Sequence, residues 1–142
     1  MSSVRPSLVL TLTAAPLLWV SALTLSAQQP ANADGWQLPP NAAAETSPLA
    51  QTPAIVAKGQ NLYKSKCQRC HGATGKGNGP DADPDHSPGD LTDSKRAPRN
   101  PDGVLFYKIW NGRSKPKMPA LKTDISRDDV WAVVAYIKTL RQ

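Results

Sequence analysis

Apolar positions along the chain fall into four blocks with different spacing. From Leu8 to Leu25 the run is continuous and uncharged. Between residues 53 and 70 it becomes periodic: Ile55, Gly59, Leu62, Tyr63 and Lys66 lie on or beside one helical stripe. Pro53 suits a first-turn position, so a helix is expected from Pro53 to Cys70. Pro101 and Asp102 open a second helical pattern carrying Val104, Leu105, Ile109 and Trp110, and Gly112 stops it. Val130, Val133, Val134, Ile137 and Leu140 form a broad apolar face on a last helix, with Ser126 or Asp128 as its cap. No stretch alternates as a strand does, so the expected class is all-α with three principal helices.

The segments between the helices are unusual. Residues 72–101 are rich in Gly, Pro and Asp, and their only aliphatic side chain larger than alanine is Leu91. A loop of that length counts against a compact domain unless something other than side chains fills the core. A domain this small is also short of buried area by itself. Residues 34–53 hold four prolines and no helical or alternating pattern, which reads as an extended arm or linker, partly polyproline. Trp36 is a large apolar ring in that polar arm, and packing against the domain is its expected fate.

Residues 1–33 read as a secretory signal peptide. Arg5 supplies the positive start, Leu8–Leu25 the apolar segment, and Ala31-Asn32-Ala33 a small-x-small cleavage site, with Pro30 keeping it extended. The alternative is an uncleaved anchor, because the apolar run approaches the length of about 20 residues that spans a bilayer. Either way the remainder is expected outside the cytoplasm, in a periplasm. The expected organisation is signal peptide 1–33, arm 34–53 and one domain over 54–142. The formal charge is +6. Such a balance suits nucleic acid, anionic lipid or an acidic protein. Export and the lack of arginine-rich runs with interleaved aromatics argue against nucleic acid, leaving an acidic protein surface.

Chemistry concentrates in Cys67-Gln68-Arg69-Cys70-His71, which contains both cysteines of the chain. Two thiols at this spacing add to the two vinyl groups of one haem, and the adjoining histidine becomes the proximal iron ligand. Three other readings compete. A thioredoxin-type pair should follow a strand, and none precedes Cys67. A zinc site needs four ligands, and only His86 is spare. A disulfide gives no reason for the histidine. A flat apolar haem also answers the question of the empty loop, so the cofactor expected is one haem c bound through Cys67 and Cys70. The sixth ligand is expected to be Met118, the only methionine beyond Met1, in the stiff polar loop Lys115-Pro116-Lys117-Met118-Pro119. The alternatives are Met118 as core filler and His86 as ligand.

These residues resemble class I c-type cytochromes. Cys67-x-x-Cys70-His71-Gly72, Gly75-x-Gly77-x-Gly79-Pro80, Asp90-Leu91-Thr92, Asp102-Gly103-x-Leu105-Phe106, Gly112, Met118-Pro119-Ala120 and Ala135-Tyr136-Ile137 occur in that family's order over about residues 54–142. The chain is most similar to small monohaem proteins and to haem domains of cbb3-type oxidase subunits. The resemblance implies the cytochrome c fold, with long loops wrapped around one covalent haem. It also implies that a proline carbonyl shortly after the haem motif, matched here by Pro80, accepts from the proximal histidine and fixes its ring. Gly59 and Tyr63 match the family's crossing on the first helix, and Val133 and Tyr136 on the last. Trp110 and Arg96 are candidate propionate donors, with packing or surface as the plainer role for each.

Other outlines fail on their own terms. Asp81-x-Asp83-x-Asp85 starts like a calcium loop, but His86 and Thr92 stand where glycine and glutamate belong. Gly72 to Gly77 lacks the spacing of a phosphate-binding loop. The function expected is therefore a non-enzymatic single-electron carrier between respiratory-chain or dehydrogenase partners, monomeric when free. Lys64, Lys66, Arg69, Lys76, Lys115 and Lys117 are expected to form a cationic ring for an acidic redox partner. The competing functions are a peroxidase or gas sensor with open iron, and a haem subunit tethered within an oxidase or dehydrogenase. Membrane attachment is expected only if the N-terminal segment is retained.

Overall fold

The computed structural model describes residues 35–141, so the expected leader and its cleavage site lie outside the described residues. Four α-helices follow in order: α1 (Pro53–Lys66), α2 (Gln68–His71), α3 (Asp102–Asn111) and α4 (Arg127–Leu140), with 3-10 turns at Ala42–Ala44 and Ser94–Arg99. Among the described residues there is no strand, only an isolated bridge between Arg113 and Met118. The all-α expectation therefore holds. None of the described helices is long and apolar enough to cross a membrane.

Thr52 caps α1, its hydroxyl accepting from the Ile55 N–H at 3.3 Å, with Pro53 in the first turn. The helix expected to run unbroken to Cys70 instead ends at Lys66. Cys67 sits at φ −118° and ψ −34°, and its N–H closes α1 on the Tyr63 carbonyl at 2.8 Å. The Cys67 carbonyl then accepts from Cys70 and His71 at 3.2 and 2.9 Å, starting the single turn of α2. This break sets Gln68–His71 apart from α1 as a separate turn. Side-chain periodicity carries no sign of it, because no glycine or proline marks the junction.

The core is the crossing of α1 over α4. A Cβ on Gly59 would lie 1.9 Å from the Ala132 carbonyl oxygen and 3.0 Å from Tyr136 Cβ, so the backbones meet at Ala132 and Tyr136 rather than at Val133. Tyr63 packs on Tyr136 with ring centroids 5.2 Å apart. Phe106 of α3 stacks on Trp131 of α4 at 4.4 Å. Ser126 and Asp129 form a reciprocal capping box at the start of α4, and Asp129 also pairs with Lys58 of α1 at 2.6 Å. Helix α3 ends at Gly112 in a left-handed conformation (φ 60°), where a Cβ would lie 2.3 Å from the Met118 carbonyl oxygen.

The proline-containing arm touches the domain at several points. Ala42 is 2% exposed. It lies against Gly103 of α3, where a Cβ would stand 2.1 Å from the Ala42 carbonyl oxygen. Glu45 accepts from the Tyr107 hydroxyl at 2.5 Å and from Arg127 at 2.7 Å. Nearer the start, Asn111 Nδ2 donates to the Gln37 carbonyl at 2.9 Å. Proline content signals an extended backbone but not what that backbone covers.

Candidate functional site

The residues that sequence reasoning singled out converge on a cavity of about 660 Å³, within the roughly 300–1,000 Å³ usual for small-molecule sites. Cys67 and His71 reach it from the α1–α2 junction, and Met118 from the loop after α3. Leu91, Val104, Leu105, Ile109 and Ile137 supply aliphatic wall. The lone aliphatic side chain of the long loop, Leu91, is thus spent on this cavity; its N–H donates to the Gly75 carbonyl at 2.8 Å.

His71 is suited to bind metal. Burial pushes its pKa down, and the Gly89 backbone facing the ring offsets only part of that, so the imidazole is neutral near pH 7. Its buried Nδ1 nevertheless makes no hydrogen bond of good geometry. The Cys67 thiol is pushed up to about 12, chiefly by burial and then by Cys70. It is therefore a neutral thiol, not a thiolate. Cys70 is half-buried, with Sγ 3.7 Å from the Asp81 carbonyl oxygen, and it is not part of the cavity lining. Both cysteines are free of disulfides. No group of three or more His, Cys, Asp or Glu that could hold a metal occurs among the described residues.

Met118 is held by its backbone. Arg113 N–H donates to the Met118 carbonyl and Met118 N–H to the Arg113 carbonyl, each at 2.9 Å. The loop between them contains a cis Lys115–Pro116 peptide bond. The rival ligand His86 is exposed, 3.5 Å from Asp83, and does not line the cavity.

Pro80 is not brought to the site. It is exposed and absent from the cavity lining. The backbone that faces His71 belongs to Gly89, eighteen residues beyond the histidine. Gly77 (φ 78°) makes room for that later segment, because a Cβ there would lie 2.1 Å from the Pro88 carbonyl oxygen. Pro80, Pro84 and Pro88 all follow the haem motif before Gly89, and spacing alone does not tell which part of the loop returns to the ring.

A basic margin was largely missed from sequence. Arg96, Arg99, Lys108, Arg113 and Arg141 all line the cavity. Of these only Arg96 stood out in the sequence; Arg99 shares its turn, and Lys108, Arg113 and Arg141 come from other parts of the chain. Trp110 is not among the lining residues; it stacks on Phe106 at 5.8 Å, with Arg127 over its ring at 5.6 Å. Trp36 of the arm does line the cavity, its ring beneath Arg113 at 4.3 Å and Lys108 at 5.0 Å.

This donor set fits a haem. Aliphatic walls suit the macrocycle, a neutral imidazole and a thioether suit its iron, and guanidinium groups suit two propionates. Comparison with known proteins agrees. The family model for cytochrome c matches residues 56–141. No curated protein matches the chain. Among solved structures, a chain of the Kuenenia stuttgartiensis reducing HAO-like protein complex Kustc0457/Kustc0458 is similar at 28% identity and a TM-score of 0.57, over 68% of this chain and 48% of that one. This protein thus spans about half the length of that relative. The KustC0563 c-type cytochrome shares the fold at 24% identity and a TM-score of 0.52, over 59% of this chain and 98% of its own. On the extent of the family match, together with the cavity that gathers its haem motif, this chain belongs to the cytochrome c family.

Proposed function

We propose that the protein is an exported carrier of single electrons with one haem c, bound through Cys67 and Cys70 and ligated by His71 and Met118. Membership of the family supports covalent haem and electron transfer. The observation that carries the finer reading is that Met118, His71 and Cys67 share one cavity while His86 stands outside it. The bound group supplies the redox couple. The chain holds a neutral imidazole and a thioether ready, so little need move when an electron arrives, and the Gly89 backbone takes the ring-orienting role expected of Pro80. His71 and Met118 would together hold the iron positions that peroxide or gas chemistry needs open, which supports a carrier over an enzyme. Carbon monoxide tests this: slow, partial binding to the ferrous protein is expected, and rapid stoichiometric binding overturns it.

The partner is an acidic redox protein, docking on a smaller cationic surface than the six residues singled out above. Lys66 pairs with Asp124 at 3.1 Å and Arg69 with Asp81 at 2.6 Å, which neutralises both. Lys64, Lys76, Lys115 and Lys117 remain exposed without an ion pair among the described residues. Charge reversal at Lys115 and Lys117 should slow association and flatten its dependence on ionic strength, whereas Lys66→Gln should do neither. A second reading, a haem subunit within a larger complex, is favoured by likeness to a chain of the reducing HAO-like complex, 48% of which the match covers. Co-purification from native membranes and N-terminal sequencing of the mature protein separate the two.

A further inference from the structure

We infer that the N-terminal arm is a working part of the redox site: Trp36 positions Met118 by clamping Arg113. The inference rests on Met118 being the sulfur ligand. Trp36 lines the cavity, and its ring faces the Arg113 guanidinium at 4.3 Å and Lys108 Nζ at 5.0 Å. Arg113 is joined to Met118 by two backbone hydrogen bonds of 2.9 Å, so one residue connects the tryptophan to the thioether-bearing residue.

The other cation is tied down as well. Lys108 Nζ donates to Asn100 Oδ1 at 2.7 Å, and Asn100 Nδ2 donates to the Arg96 carbonyl at 2.9 Å. Trp36 therefore connects through Arg113 to the Met118 loop and through Lys108 and Asn100 to the Ser94–Arg99 turn, both of which line the cavity. The arm cannot swing freely to make these contacts by chance. Asn111 fixes Gln37, buried Ala42 packs on α3, and Glu45 is held by Tyr107 and Arg127. Such anchorage holds the ring in place at little further entropic cost.

An indole in contact with two cations contributes through its face, which a guanidinium or ammonium group prefers to an aliphatic surface. Without it the Met118 loop spends more of its time displaced. A small ligand that competes with the thioether for iron then binds more tightly, in proportion to the displaced fraction.

Imidazole titration of the ferric holoprotein reads that fraction. Trp36→Ala and Trp36→Leu should each bind imidazole about tenfold more tightly than wild type, and Trp36→Phe should stay near wild type. Leucine fills space but has no π face, so it keeps the test open if alanine prevents haem attachment. Ser126→Ala, which removes the α4 cap, should lower thermal stability while leaving imidazole affinity unchanged. Wild-type affinity in Trp36→Leu overturns the inference, as does an equal gain in Ser126→Ala, which would reduce the effect to general loosening. If wild-type protein lacks the spectroscopic signature of sulfur on iron, the ligand reading itself fails and this inference falls with it.

Discussion

Gly59 on α1 and Ala132 on α4 stand so close that a methyl group on the glycine would lie 1.9 Å from the Ala132 carbonyl oxygen. That atom is backbone in the middle of a buried helix and cannot rotate away. Gly59→Ala must therefore push α1 and α4 apart, and overpacking of this kind costs about 1–3 kcal/mol. A loss at or above the upper end is expected in guanidinium unfolding of the holoprotein. An unchanged midpoint would show that the helices cross less tightly.

Tyr63 is fully buried, and its hydroxyl donates to the Gly72 carbonyl at 2.8 Å, immediately after the haem motif. Burial first, then Cys67 and Tyr136, drives its pKa up, so the phenol keeps its proton and remains a donor. Tyr63→Phe leaves that carbonyl unpaired in the interior, for about 1–3 kcal/mol. The variant should unfold at lower denaturant yet keep covalent haem; equal stability would contradict the account.

Acid should weaken the α1–α4 contact through Asp129. Lys58 foremost, then the Ser126 side chain and backbone, hold its carboxyl below the usual aspartate range. A carboxyl lowered in the folded state adds stability above its unfolded pKa of about 3.9. That contribution disappears as pH falls through the folded value. Asp129→Asn should thus melt below wild type near neutral pH, with the difference shrinking as pH falls through the lowered folded value. A gap independent of pH would mean that the carboxylate charge plays no part.

The three long helices were legible because each carries its own start and apolar stripe: Pro53, Pro101 and Ser126 at the beginnings, with Gly112 also marking the end of α3. The haem motif and Met118 were legible because their residue types are scarce, with two cysteines and two histidines in the whole chain. What stayed hidden depends on three-dimensional return of the backbone. That the Gly89 backbone faces His71 depends on Gly77, which leaves room for the Pro88 segment. The basic margin joins Arg96, Lys108, Arg113 and Arg141 from four separate stretches. The docked arm depends on Ala42 finding a glycine, Gly103, in another element. Ion pairing of Lys66 and Arg69 was hidden for the same reason: Asp124 lies far along the chain, and Asp81 lies across a loop.

The most direct test of iron held between His71 and Met118 is the absorption of the ferric holoprotein in the far red, where sulfur coordination gives a weak band. Wild type should show that band and Met118→Ala should lose it, while haem stays attached through acid-acetone extraction in both. A band that survives the substitution, or one absent from wild type, would contradict the assignment of Met118.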